Sequence, residues 1–146
     1  MVSDATPGRE PDLGWLLRGL IEQVPHTRSA VLLSADGLAT ASYGLGTDTA
    51  DQLSAIASGM FSLARTAAAR FGGSDGVRQV VAELDDTLMF VSSAGFGSVL
   101  TVLAGRDADV GVLGYEMSQL VKSVRPFLAT PARKAGPFSA PAAGQP

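Results

Sequence analysis

The chain has no cysteine, one histidine and one tryptophan, and only 6% of its residues are aromatic. Without cysteine there is neither a disulfide scaffold nor a thiolate metal site, a usage that suits a reducing cytoplasm. A single histidine, His26, leaves a Ser-His-Asp triad or a histidine metal centre nothing else to rest on. It lies between Pro25 and Thr27 in a connecting stretch, which reads as a solvated loop. Charge is also sparse, 17% of residues with a formal net charge of −3, so nucleic acid is not an expected partner. No run of about 18 apolar residues occurs and the first residues have no apolar core, so the sequence predicts neither a membrane span nor a secretory signal. The expectation is a soluble, cytoplasmic protein without cofactor, metal or direct membrane insertion.

The apolar share, 46% of 146 residues, is enough for one proper core. Residues 1–11 read as a disordered lead-in and 129–146, rich in Pro and Ala, as a disordered tail, leaving a domain at 12–128. Asp12 can cap a helix whose stripe is Leu13, Leu16, Leu17, Leu20, Ile21 and Val24, with Trp15 and Arg18 turned outward. Two strand-like runs, 28–34 and 38–43, flank Ala35-Asp36-Gly37, a hairpin signal. Runs at 77–84, 87–94 and 98–104, separated by short turns, read as a three-strand meander. Asp109 is placed to cap a last helix with Leu113, Met117, Leu120, Val121, Val124 and Phe127 inside, fraying near Pro126.

The longest element is a helix over 47–71, with Thr47 as N-cap and Gly72-Gly73 as the stop. At about 100° per residue, Ala50, Leu53, Ala57, Met60, Ala64, Ala67 and Phe71 make its inner line, flanked by Ile56, Phe61, Leu63 and Ala68. Its back carries Ala55, Ser58, Gly59, Ser62 and Thr66, small residues that allow another backbone to come close. The helix therefore reads as two-sided, facing its own sheet and a second copy. The run 77–84 contains no proline and only Arg78 and Glu83 as charges, so it is a weakly guarded sheet edge. An isologous contact through Ala55, Ser58, Gly59, Ser62 and Thr66 of the helix and Val77, Gln79, Val81 and Glu83 of the strand is the expected interface.

No stretch supports catalysis. There is no G-x-S-x-G elbow, Gly44-x-Gly46 and Gly95-x-Gly97 lack the rest of a phosphate loop, and Asp85-Asp86 sit in a turn. The expected architecture is α+β, α-β-β-α-β-β-β-α: a five-stranded antiparallel sheet with one long helix on one face and two on the other.

The stretches WLLRGLIEQVPHTRSAVLLSADGLATA (15–41), DQLSAIASGMFSLARTAA (51–68), VRQVVAEL (77–84) and LGYEMSQLVKSV (113–124) resemble the roadblock family of dynein light chains and bacterial small-GTPase partners. They are most similar to its actinobacterial branch, whose members are encoded beside a sensor histidine kinase and a Ras-like GTPase. The resemblance implies this same fold and a homodimer joined through the third strand and second helix. It implies a non-catalytic scaffold that holds or regulates a Ras-like small GTPase, in some relatives stimulating GTP hydrolysis without lending an arginine. A sensor-kinase complex and recruitment to the membrane by partners go with that role. Trp15, Arg18, Arg65 and Arg70 are the candidate partner contacts. The alternative is a profilin-like or PAS-like domain that senses a small molecule between sheet and helices. The small side chains Ala57, Ala64 and Ala67 facing the sheet point instead to tight packing.

Overall fold

Residues 13–74 and 76–135 are described by the structure, a computed structural model. In chain order they form α1 (Leu13–Gln23), β1 (Thr27–Ser34), β2 (Ala39–Tyr43), α2 (Thr47–Phe71), β3 (Gln79–Glu83), β4 (Thr87–Gly95), β5 (Ser98–Gly105) and α3 (Val110–Ala135). The five strands make one antiparallel sheet in the order β2-β1-β5-β4-β3, the expected hairpin and meander meeting along β1 and β5.

Strand alternation sends side chains to opposite faces, and both faces are covered, so β1, β4 and β5 read as nearly continuous apolar runs. On one face Ala30, Leu32, Phe90, Leu100 and Val102 meet Leu17, Leu20 and Val24 of α1 and Leu113, Met117 and Val124 of α3. On the other, Val31, Leu33, Met89, Val91 and Val99 meet Ala50, Leu53 and Ala57 of α2. Phe90 is fully buried at the centre, where its side chain contributes roughly 2–3 kcal/mol.

Local chemistry fixes the turns. In the β1–β2 hairpin, Ser34 Oγ donates to the Asp36 carboxylate, the Leu38 amide bonds back to Ser34 Oγ at 3.3 Å, and Gly37 takes φ +92°. Asp109 caps α3 as expected, its Oδ1 accepting the Val112 amide at 3.0 Å. The expected cap of α2 shifts by one: Thr47 is already helical, and Gly46 is the N-cap, with its carbonyl accepting from the Ala50 amide at 2.9 Å and no side-chain cap. The cap of α1 expected at Asp12 lies outside the described residues. The edge strand is shorter than the run 77–84, so Val77 precedes it.

Two differences from the sequence reading concern the long helices. α3 does not end near Pro126 or at residue 128 but continues to Ala135; exposed Pro126 removes one amide donor and the helix carries on past it. Phe127, expected inside, is 38% exposed. The inner line of α2 holds only as far as the sheet beneath it. Ala50, Leu53 and Ala57 are buried and Met60 and Phe61 partly so, whereas Ala67 is exposed and Phe71 is 86% exposed. The second half of this helix overhangs the core of its own chain.

Candidate functional site

Large apolar side chains of α2 are left uncovered: Ile56, turned sideways beside buried Ala57, is 56% exposed, and Leu63, on the overhang, 74%. With about 100° per residue, Ile56 and Leu63 share one flank, and Phe71 projects further along the overhang. Gly59 borders that flank, exposed, with nothing within 4 Å of the position a Cβ would take. Ser62 and Thr66 are also exposed, and the Thr66 hydroxyl donates back to the Ser62 carbonyl at 3.2 Å.

The opposite flank is occupied by the chain itself. Ser58 Oγ donates to the Ala35 carbonyl at 2.6 Å, tying the helix to the β1–β2 turn. A Cβ placed on Gly37 of that turn would lie 3.7 Å from Ser58 Cβ and 3.8 Å from Ala55 Cα. The small side chains at 55 and 58 therefore admit the chain's own hairpin. Ser58, expected from sequence at the contact with a second copy, makes this contact within its own chain. Ile56 and Ser58, two positions apart, lie roughly 160° from each other around the helix. The uncovered apolar residues, Ile56 and Leu63, belong by periodicity to the flanks of the inner arc. Periodicity alone marks them as apolar without saying which molecule covers them.

β3 closes the sheet at one edge. Val80 and Ala82 pack under α2, while Gln79, Val81 and Glu83 face the α1/α3 side, where Val81 stays 47% exposed. Glu83 is engaged within the chain, accepting from Arg106 Nη2 at 2.8 Å, and Arg106 also donates to the Leu84 carbonyl at 3.0 Å. Val77 lies outside the strand and lines a groove beside α3.

The four candidate partner contacts do not converge. Trp15 is 69% exposed at a groove of about 530 Å³ between α1 and α3. Arg18 lines the same groove and donates to Glu22 Oε2 at 2.9 Å; that hydrogen bond, with the carboxylate's charge, raises the guanidinium pKa above its ordinary value. Arg65 and Arg70 are exposed along the overhang of α2.

His26 is exposed in the α1–β1 turn at φ 70°, its carbonyl accepting from the Gly105 amide at 2.8 Å. Among the described residues no three His, Asp or Glu are grouped to hold a metal, and no helix is long and apolar enough to cross a membrane. What the arrangement offers chemically is apolar area on α2 and an open edge on β3, features that suit association.

A family model for the Roadblock/LC7 domain matches residues 13–104. The crystal structure of a Roadblock/LC7 domain from Streptomyces avermitilis is 62% identical and covers 82% of this chain and 99% of that one, with a TM-score of 0.79. A structure described as MglB with tetrameric arrangement is 15% identical, covering 81% of this chain and 88% of that one with a TM-score of 0.73. Acanthamoeba castellanii profilin IB is 14% identical, covering 77% and 95% with a TM-score of 0.54. At such identities the last two show the shared fold alone. No match was found among curated proteins.

Proposed function

The chain belongs to the Roadblock/LC7 domain family, and from that premise we propose that it is a non-catalytic regulatory platform that pairs with a second copy of itself and binds a Ras-like small GTPase. The observation that carries this reading is the uncovered flank of α2. Ile56, Leu63 and Phe71 of this one helix stay 56%, 74% and 86% exposed, apolar surface that a second copy would cover. Two copies meeting through that flank, with Gly59, Ser62 and Thr66 at the crossing, bury it symmetrically. Pairing of the open β3 edges through Gln79, Val81 and their neighbours extends one sheet across both copies.

The dimer so formed is a two-fold platform for the GTPase, cytoplasmic and brought to a membrane only by its partners, a sensor histidine kinase complex among them. Stimulation of GTP hydrolysis, where it occurs, comes from shaping the GTPase's own site. Arg65 and Arg70 act as surface charges in this reading, and Trp15 and Arg18 are available for contacts away from the dimer face. The test is to mix the purified chain with a Ras-like small GTPase of its own organism and follow co-elution and phosphate release. Co-elution that is lost in Gly59→Arg supports the platform; neither co-elution nor an altered hydrolysis rate overturns it.

A further inference from the structure

Ser92 on β4 is 7% exposed, and its hydroxyl has no hydrogen-bond partner among the described residues. A buried hydroxyl without a partner is destabilising by roughly 1–3 kcal/mol, so its surroundings call for explanation. It faces the α1/α3 side of the sheet, directly across from Gln79, the first residue of β3. There it lines a groove of about 470 Å³ between the approach to β3 and α3. Val77, Met117 and Val121 give that groove apolar walls, and Arg78 also lines it. No acidic residue is among the described lining residues, and Arg78 forms no ion pair with another described residue. In a chain with net charge −3, the described lining of this groove carries one positive side chain, Arg78, and a buried hydroxyl, Ser92, without a partner among the described residues.

We propose that this groove binds a small organic carboxylate with an apolar arm. The two carboxylate oxygens offer about four lone-pair sites, enough to accept from both the Arg78 guanidinium and the Ser92 hydroxyl. The arm lies on Val77, Met117 and Val121. The head group is a monoanion because one guanidinium matches one charge, whereas a phosphate dianion calls for a second cation that the described lining residues do not provide. The volume lies within the ordinary range for small-molecule sites, about 300–1,000 Å³. Such a ligand touches Gln79 and so sits at the root of the edge strand.

Hexanoate is the probe, titrated into the full-length chain while the backbone amides of Arg78 and Ser92 are followed by NMR. The expected result is saturable shifts with a Kd of about 1 mM or below, while hexanamide binds at least about fivefold more weakly. Arg78→Gln and Ser92→Ala each weaken hexanoate about fivefold or more. Arg78→Gln is expected to keep the wild-type Tm and Ser92→Ala to raise it, since the latter removes a buried hydroxyl without a partner among the described residues. Shifts that stay linear to about 20 mM, or binding that either variant leaves intact, overturn the site and leave Ser92 a hydroxyl satisfied by water. Hexyl phosphate binding tenfold tighter than hexanoate overturns the monoanion assignment.

Discussion

Gly59 is where a single methyl group distinguishes a solvated helix from one that packs on its twin. The residue sits in the middle of α2 with ordinary helical backbone and open space where a Cβ would be. Within one chain alanine fits without contact, and helix propensity favours it by about 0.8–1.0 kcal/mol. For a domain of this size that is a rise of roughly 3–5 °C in Tm. A second α2 lying on the same flank reverses the sign, because each added methyl holds two backbones apart. Gly59→Arg goes further, placing an unpaired cation in the contact at about 3–5 kcal/mol, a loosening of roughly 100-fold or more. The gains it must overcome are modest. Ile56, Leu63 and Phe71 retain 56%, 74% and 86% of their exposure, so covering each contributes about 1–2 kcal/mol, or roughly 6–12 over two copies. Association itself costs about 4–15 kcal/mol, so a few kcal/mol decide the outcome. Sedimentation velocity over a dilution series reads the dimer constant, and thermal unfolding at a dilution where the chain is single reads the fold. Gly59→Ala should raise Tm in the second assay and weaken self-association in the first. A Gly59→Arg dilution curve that overlays the wild type would refute the reasoning.

Ser58→Ala should lower stability by about 1 kcal/mol, through loss of the bond to the Ala35 carbonyl, and leave the sedimenting mass unchanged. Thr101→Val should stabilise the chain by about 1 kcal/mol in chemical denaturation, since the Thr101 hydroxyl is fully buried and has no partner among the described residues. Trp15→Ala should change Tm by less than about 2 °C, because the ring is largely in water, and weaken GTPase binding about tenfold by calorimetry.

Much of this arrangement was legible in the residues. Spacings of three and four in 13–24 and 113–124, Asp36-Gly37 and the alternating runs from 77 to 104 prescribe helices, hairpin and meander. Each rests on local geometry, and local geometry decided the result. The misreadings arise where a non-local partner decides. Phe71 continues the stripe begun at Ala50, but a stripe does not say where the sheet beneath it stops. Ser58 and Ala55 are small, as close approach of another backbone requires, and the chain's own turn at Gly37 is one backbone they admit, which their spacing alone does not announce. Ile56 and Leu63 were grouped with the core because an apolar residue looks the same whether its cover comes from inside or outside. The groove at Ser92 left no pattern at all. A serine in a strand run is ordinary, and only the fold shows that its hydroxyl is buried at a groove that Arg78 also lines.

The absence of native cysteine allows a direct check on whether the outer flank of α2 meets its own copy. A disulfide needs Cα atoms within about 7 Å, so single cysteines at Gly59 or Ser62 report contact across the two-fold, with Lys122→Cys on α3 as the reference. Under mild oxidation the account predicts a covalent dimer at 59 or 62 and little at 122. No cross-link at either α2 position, or cross-linking as ready at 122, would contradict it.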